Sequence, residues 1–266
     1  RQEVVMFLGI GLRLGMQGGG SFPPAALFAS GEEGAWYDPS DLSTLFQDSA
    51  GTTPVTTAGQ PVGKMLDKSG RGNHATQSTS SQRPTYQTAG GLHWLAFDGV
   101  DDAMATGTIT PNVDKAQVFA GLRSLSGDQA LMLEASNFST FADGIIAVFA
   151  PISSNSYRYR SAGTNRVDVN VAGFTAPVTS VFNASSDISG NRSTVRVNGV
   201  QAATDTSDQG TGNYLANPFY IGGRGGTSLF FNGNIYGLII RFGPNVLAAQ
   251  TADTETYMAA RTGVTL

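Results

Sequence analysis

The sequence predicts an all-β fold, an antiparallel β-sandwich closed by a short C-terminal helix. Two observations predict it. Short apolar runs recur along the chain between clusters of Gly, Asn, Asp and Ser, a spacing that is typical of sandwiches. Strand patterns do not alternate with helical ones, so a parallel sheet is not expected.

The candidate strands begin after Trp36, and each ends at a turn signal. The clearest turn is Asn198-Gly199, because both residues tolerate the positive φ that a tight hairpin requires. The expected strands cover residues 62–66, 93–97, 116–122, 144–150, 157–160, 167–171, 180–182, 194–197, 219–221 and 235–242.

The C-terminal segment carries the helical signals. Thr251 is the expected N-cap, Arg261 lies in the expected last turn, and Gly263 is the expected left-handed stop. The expected buried side consists of Ala249, Tyr257, Met258 and Ala260.

The first 35 residues differ from the rest. Large apolar residues alternate with glycines and Arg13, and Gly18-Gly19-Gly20 follows as a flexible joint. We expect residues 1–35 to form an extended anchor arm and residues 36–266 the sandwich; an edge strand of the sandwich is the alternative. The anchoring residues are Leu8, Ile10, Leu12, Leu14 and Met16.

Composition excludes several classes of protein. The chain has no Cys, which excludes thiolate metal sites and a cysteine nucleophile, and a net charge of −4, which argues against nucleic-acid binding. The longest uncharged apolar stretch, residues 4–12, is too short to cross a bilayer, and Glu3 and Arg13 do not suit a secretion signal. We therefore expect no membrane insertion.

Five motifs in series resemble concanavalin A-like, laminin-G-like jelly-roll domains. Residues 95–102 resemble the "F-D-G-x-D-D" segment, residues 66–75 the "D-x-S-G-x-G-N-H" turn and residues 194–199 the "L-x-V-N-G" hairpin. Residues 219–223 and 231–240, with the final helix, are similar to the closing block of these domains. Residues 36–55 resemble the variant that recurs in tailed-bacteriophage virion proteins. The resemblance implies a jelly-roll sandwich, but such folds serve many functions.

The glutamates bear on enzymatic activity. The resemblance implies that a hydrolase of this fold carries E-x-D-x-x-E or a close variant on one strand. None of the five Glu, at positions 3, 32, 33, 134 and 255, has that spacing. We therefore expect no enzymatic activity; a carboxylate pair formed by distant residues is the alternative.

Two groups of residues are candidates for binding. Asp98, Asp101 and Asp102 suit either a Ca²⁺ site or a hairpin turn in which Asp98 caps backbone amides; otherwise no cofactor is expected. Tyr157 and Tyr159 share one face of a strand, which is either a stacking platform for sugars or part of the core. The candidate ligand-binding residues are Tyr157, Tyr159, Asn155 and Asn165.

These observations and the resemblance imply a structural protein on the exterior of a tailed-phage virion. A tail-fibre subunit is expected, joined to other virion proteins through residues 1–35 and displaying the sandwich to a host glycan. A trimer would suit a fibre, although no heptad repeat supports one. The alternatives are a capsid decoration or head-fibre protein and a glycan-degrading enzyme.

Overall fold

The structure, a computed structural model of the chain, describes residues 22–136, 143–153 and 155–266. These residues form two packed antiparallel sheets and one α-helix, so the predicted all-β sandwich is confirmed. In the described part of the chain, no helix has the length and apolarity to cross a membrane.

The strands are short and follow one another closely. They are β1 (Glu33–Tyr37), β2 (Leu45–Phe46), β3 (Lys64–Met65), β4 (Ala75–Thr76), β5 (Thr85–Ala89), β6 (Leu92–Asp98), β7 (Met104–Ala105), β8 (Lys115–Ser124), β9 (Leu131–Ala135), β10 (Ile145–Ser153), β11 (Ser156–Ala162), β12 (Arg166–Ala172), β13 (Val178–Asp187), β14 (Arg192–Val197), β15 (Val200–Asp205), β16 (Phe219–Ile221) and β17 (Asn232–Phe242). The helix α1 covers Ala248–Thr262, and 3₁₀ turns cover Pro24–Phe28, Leu42–Thr44 and Ser80–Gln82.

The strands divide between two sheets. The front sheet has the order β12-β11-β10-β9-β16-β7-β4-β3-β2. The back sheet has the order β15-β14-β13-β8-β17-β6-β5, with β1 also paired to β17. The inner faces of the two sheets meet in the main core, where Tyr159 of the front sheet and Phe182 of the back sheet are both 0% exposed.

A second apolar cluster covers the outside of the back sheet. The helix α1 and the Pro24–Phe28 turn contribute Met258, Tyr257 and Phe28, which pack with Phe119 and Ile239 of that sheet. The helix α1 packs against β6, β8, β13 and β17, which are all strands of the back sheet. The outer face of the front sheet is therefore the broad sheet surface that no described helix covers.

Residues 22–35 belong to the sandwich, which corrects the predicted boundary at residue 35. Leu27 and Phe28 are buried, and Glu33 to Tyr37 pair with Phe242 to Leu238. At Gly34 a Cβ atom would lie 2.0 Å from the Ile240 carbonyl oxygen, so the close pairing of β1 with β17 requires glycine there. Residues 1–21, including the predicted anchoring residues, lie outside the described residues, and the arm stays a prediction.

The turn around Asp67 supplies hydrogen-bond partners to the edge of β1 that does not face β17. The Asp67 carboxylate accepts hydrogen bonds from the backbone N–H groups of Trp36, Ser69 and Asn73 at 2.8 to 3.0 Å, and from the Ser69 hydroxyl at 2.7 Å. The Nδ1 atom of His74 accepts from the Asp67 N–H at 3.0 Å. One buried carboxylate thus satisfies the donors of both the strand edge and the turn.

The C-terminal helix is confirmed, but its N-cap is Leu247, four residues earlier than predicted. The Leu247 N–H donates to the Gln250 side chain at 3.2 Å, which caps the first turn without Thr251. Gly263 has the predicted left-handed conformation, with φ of 73°. Tyr257 and Met258 are buried as predicted, whereas Ala249 and Ala260 are exposed.

We expect Asp67→Ala to lower the free energy of unfolding by about 2–4 kcal/mol, because four hydrogen bonds lose their charged acceptor. Asp67→Asn retains one carbonyl oxygen and should lose less. Urea denaturation measures both, and Asp128→Ala, at an exposed carboxylate, is the control. Equal stability of Asp67→Ala and Asp128→Ala would contradict this role of the turn.

Candidate functional site

The two candidate tyrosines of β11 lie in the core, not on the surface. Tyr157 and Tyr159 are each 0% exposed, and burial raises the pKa of Tyr157 to about 12. Neither ring is accessible to a sugar. The core interpretation therefore replaces the predicted stacking role of these two residues.

A hydroxyl network joins the buried tyrosines to the back sheet. Tyr157 bonds Ser180 at 3.1 Å, and Tyr159 bonds Ser186 at 2.7 Å. The Ser186 hydroxyl also bonds Tyr214 at 2.6 Å. A buried hydroxyl without a partner is costly, so this network favours the tyrosine face of β11 as the inner face.

The same alternation turns the arginines of β11 to the outer face. Arg158 and Arg160 stand opposite Phe149 and Ala147 of β10, and their guanidinium groups lie 5.7 and 5.3 Å from the centre of the Phe149 ring. On the other side, Arg158 pairs in register with Asn170 of β12. The outer face therefore carries charge above a buried aromatic ring.

Arg160 and Asp168 form a bidentate ion pair. The Nε and Nη2 atoms of Arg160 lie 2.7 and 2.9 Å from the two carboxylate oxygens. Arg158 and Arg166 also contact this carboxylate, at 3.4 and 3.8 Å. Burial alone would raise the pKa of Asp168, but Arg160 and then the other two arginines hold it below its usual value. Asp168 is thus ionised and surrounded by three cations.

Beside this pair the outer face opens into a cleft of ≈ 590 Å³, here called the arginine cleft. Its polar lining consists of Gln129, Ser153, Asn155, Ser156, Arg158 and Asn170, and Ile152 and Ala172 supply apolar surface. The Nε atom of Arg158 donates to the Asn170 side-chain oxygen at 2.8 Å. This bond orients the Asn170 amide so that its nitrogen remains available to a ligand.

The two asparagines predicted to bind a ligand lie far apart in the structure. Asn155 lines the arginine cleft at the start of β11. Asn165 lies beyond the other end of that strand, where its amide donates to Asp208 at 3.3 Å. Since β11 spans seven residues, the two lie about 20 Å apart, and Asn165 does not belong to the cleft.

Glu134 is a buried carboxylate on the outer face of β9. In register it stands between Ala147 of β10 and Tyr220 of β16, and it is 0% exposed. Its Oε2 atom accepts from the Gly225 N–H at 3.1 Å, whereas Oε1 has no hydrogen-bond partner among the described residues. Burial raises the pKa of Glu134, although hydrogen bonds from Ser136 and Gly225 and the charges of Arg224 and Arg160 act to lower it.

The three aspartates between β6 and β7 form a capped turn. The Asp98 carboxylate accepts from the N–H groups of Val100, Asp101 and Asp102, and Asp102 accepts from the Asp98 N–H at 3.0 Å. Oxygens of the three carboxylates lie within 4.8 Å of one another. These hydrogen bonds fit the turn interpretation, and Ca²⁺ binding stays a prediction.

Sequence reasoning missed Arg158, Asn170 and Glu134 as site residues. A signal for the first two was present, because β12 reads Arg-Val-Asp-Val-Asn-Val-Ala, and its polar face must pair with one face of Tyr-Arg-Tyr-Arg in the adjacent hairpin strand. For Glu134 the signal was a single charge inside the apolar run Leu-Met-Leu-Glu-Ala.

Comparisons with known proteins place the chain among all-β sandwiches. No protein-family model matches it, and no curated protein is similar at a significant level. An arabinofuranosidase, solved with arabinofuranosyl-α-1,2-xylobiose, is similar with a TM-score of 0.63 and 14% identity, over 90% of this chain and 65% of that one.

Two botulinum neurotoxin structures are also similar. The serotype G binding domain gives a TM-score of 0.57 and 10% identity, over 74% of this chain and 49% of that one. A type C neurotoxin structure, described as interacting with two ganglioside molecules, gives 0.51 and 10%, over 73% and 48%. The chain thus spans about half the length of the neurotoxin chains, and at these identities the likeness shows the fold.

The arabinofuranosidase overturns the expectation of no enzymatic activity. That expectation rested on the absence of one glutamate spacing. A glycoside hydrolase nevertheless shares the fold over 90% of this chain. The missing spacing therefore does not exclude an enzyme.

We expect Asp102→Asn to change how stability depends on pH. Burial, and then the charge of Asp98, raises the pKa of Asp102 to about 6. Because the native state binds this proton more tightly than the unfolded chain, the free energy of unfolding should fall as pH rises from about 4 to above 6. The Asn variant lacks this loss. The difference in free energy of unfolding between Asp102→Asn and wild type should therefore shift in favour of the variant by about 1–3 kcal/mol between pH 4 and pH 8.

Denaturation at pH 4, 6 and 8 in EDTA measures this difference without bound cations. Asp253→Asn, at an exposed carboxylate of α1, is the control. If the difference between Asp102→Asn and wild type is the same at all three pH values, Asp102 does not carry the shifted titration.

Proposed function

We propose that the protein binds glycans on the outer face of the front sheet, in the arginine cleft. One observation carries the proposal: Arg158, Asn170, Asn155 and Gln129 line one open cleft on the sheet surface that the described helix leaves uncovered. Amides and guanidinium groups are the polar groups that fix the orientation of a hydroxyl-rich ligand.

The fold comparisons support the same function. The arabinofuranosidase was solved with a bound oligosaccharide, and the type C neurotoxin structure is described as interacting with gangliosides. Both belong to proteins that share this sandwich, and both ligands are or contain sugars. A sugar is therefore the ligand class for which the fold and the cleft agree.

For the biological setting, we propose a subunit on the exterior of a tailed-phage particle, in a tail fibre that displays the cleft to a host glycan. The resemblance of residues 36–55 to phage virion proteins supports this setting. In this setting the arm that would join other virion proteins would be confined to residues 1–21, because residues 22–35 lie in the sandwich. A capsid decoration or head-fibre role has the same requirements, and a homo-oligomer suits each role.

We expect Arg158→Ala and Asn170→Ala each to weaken glycan binding about tenfold or more, because each removes a donor from the cleft. A glycan array followed by calorimetry measures this. Tyr157→Phe, which removes a core hydroxyl, should lower the melting temperature and retain binding. Arg192→Ala, at an exposed arginine of the back sheet, is the charge-matched control. Wild-type affinity in both cleft variants would contradict the proposed site.

A second candidate function, glycoside hydrolysis, is favoured by Glu134. A carboxyl with a raised pKa suits a general acid. Because Glu134 is 0% exposed, it would reach a sugar only if the backbone around Gly225, whose N–H it binds, moved away from it. Its partner is not Asp168, which lies three strands away in register, about 14 Å, beyond the ~9.5 Å limit for a hydrolase pair. Residues 222–226, Gly-Gly-Arg-Gly-Gly, form a glycine-rich loop that includes Gly225, the partner of Glu134. Asp102, whose pKa is also raised, lies beside this loop at Gly222.

If the protein is a hydrolase, Glu134→Gln should abolish the release of reducing sugar, because an amide cannot transfer the proton. Arabinoxylan and arabinan are suitable substrates for the assay, and circular dichroism checks that the variant is folded. No release by the wild type would reject the hydrolase, and equal release by Glu134→Gln would reject Glu134 as its general acid. Either result leaves the binding proposal intact.

A further inference from the structure

The polar atoms that remain available in the arginine cleft are predominantly hydrogen-bond donors. Arg158 uses Nε on Asn170 and places Nη1 3.4 Å from Asp168, while its Nη2 donates no hydrogen bond to the described residues. The Asn170 amide nitrogen remains available because its oxygen accepts from Arg158. Arg158 and Asn170 therefore offer a ligand donors and no unused side-chain oxygen, whereas Gln129 and Asn155 offer an amide oxygen as well as an amide nitrogen.

No carboxylate lines the cleft within the described residues. The adjacent one, Asp168, already receives two hydrogen bonds from Arg160 and the charges of Arg158 and Arg166. Three arginines around one aspartate leave a local charge of +2, in a chain whose net charge is −4. Asp128 precedes Gln129 in the chain but does not line the cleft.

Burial strengthens the effect of this charge. The Arg158 side chain is 25% exposed, and the lower dielectric of a partly buried site makes a charge interaction stronger than in water. The guanidinium also rests on Phe149, which limits its rotation. A partly desolvated, positioned cation next to free amide donors suits an anionic acceptor group.

We propose that the arginine cleft recognises an acidic sugar, one whose carboxylate group is bound by Arg158 and the Asn170 amide. This inference rests on the proposed glycan-binding function and names its ligand class. A neutral sugar presents hydroxyl groups that donate as well as accept, and Arg158 and Asn170 offer them no unused side-chain oxygen. A sugar carboxylate accepts from the free donors of Arg158 and Asn170 and lowers the local charge from +2 to +1.

The experiment compares ligands that differ in charge alone. Calorimetry with oligogalacturonate and with its methyl-esterified form keeps the sugar and removes the carboxylate charge. We expect the esterified form to bind at least about tenfold more weakly. Dextran sulfate, with dextran as its neutral form, tests whether a sulfate group is bound in place of a carboxylate.

Two variants test the role of Arg158. Arg158→Ala should abolish the preference for the acidic form, whereas Arg158→Lys keeps the charge without the planar group and should retain part of the preference. Arg192→Ala removes the same charge from the back sheet and should retain all of it. A loss of preference in Arg192→Ala would mean that net charge, not the cleft, attracts the ligand, and would overturn the inference.

The outcomes separate this inference from the proposed function. If the acidic and esterified forms bind equally and both are weakened by Asn170→Ala, the cleft binds glycans and the acidic class is wrong. If dextran sulfate binds and oligogalacturonate does not, the cleft recognises a sulfate group, and the proposed carboxylate recognition is wrong. If the array and both ligand pairs show no binding to the wild-type protein, the proposed glycan-binding function fails as well.

Discussion

The outer face of the front sheet depends on one constraint, the inward placement of the β11 tyrosines. Their hydroxyl groups are satisfied by Ser180 and Ser186 of the back sheet. A shift of register by one residue would bury two arginines and expose two tyrosines, at a cost of several kcal/mol for each unpaired charge. The core network therefore positions Arg158 and Arg160, although neither arginine belongs to it.

Electrostatics then divides the outer face into two regions. Around Arg160 and Asp168, the charges are paired and hold the strands in register. Around Arg158, the charge is only partly compensated, and amide groups surround it. Glu134 lies further along the same face, buried beside the glycine-rich loop. In register, the paired Arg160 lies between Arg158 and Glu134 on this face, so binding and hydrolysis can be tested on one surface.

Much of the fold could be predicted from local pattern. The turn residues, period-two runs and the stop at Gly263 define strands and helix because they act over a few residues. The short strands β2, β3, β4 and β7 could not all be found this way, since two residues carry no period. The site was harder to predict. Alternation along a strand shows which residues share a face, but it does not show which of the two faces points into the core. That choice depends on partners distant in sequence, such as Ser186 for Tyr159.

The central claim is that the arginine cleft binds a glycan through its amide and guanidinium donors. The most direct test is a ¹⁵N NMR titration of the full chain with oligogalacturonate, following the side-chain amide signals of Asn170, Asn155 and Gln129. The account predicts that these signals and the Arg158 Nε–H signal shift together with one affinity. Saturable shifts confined to the back sheet or to the Asp98 turn, with the cleft amides unchanged, would contradict it.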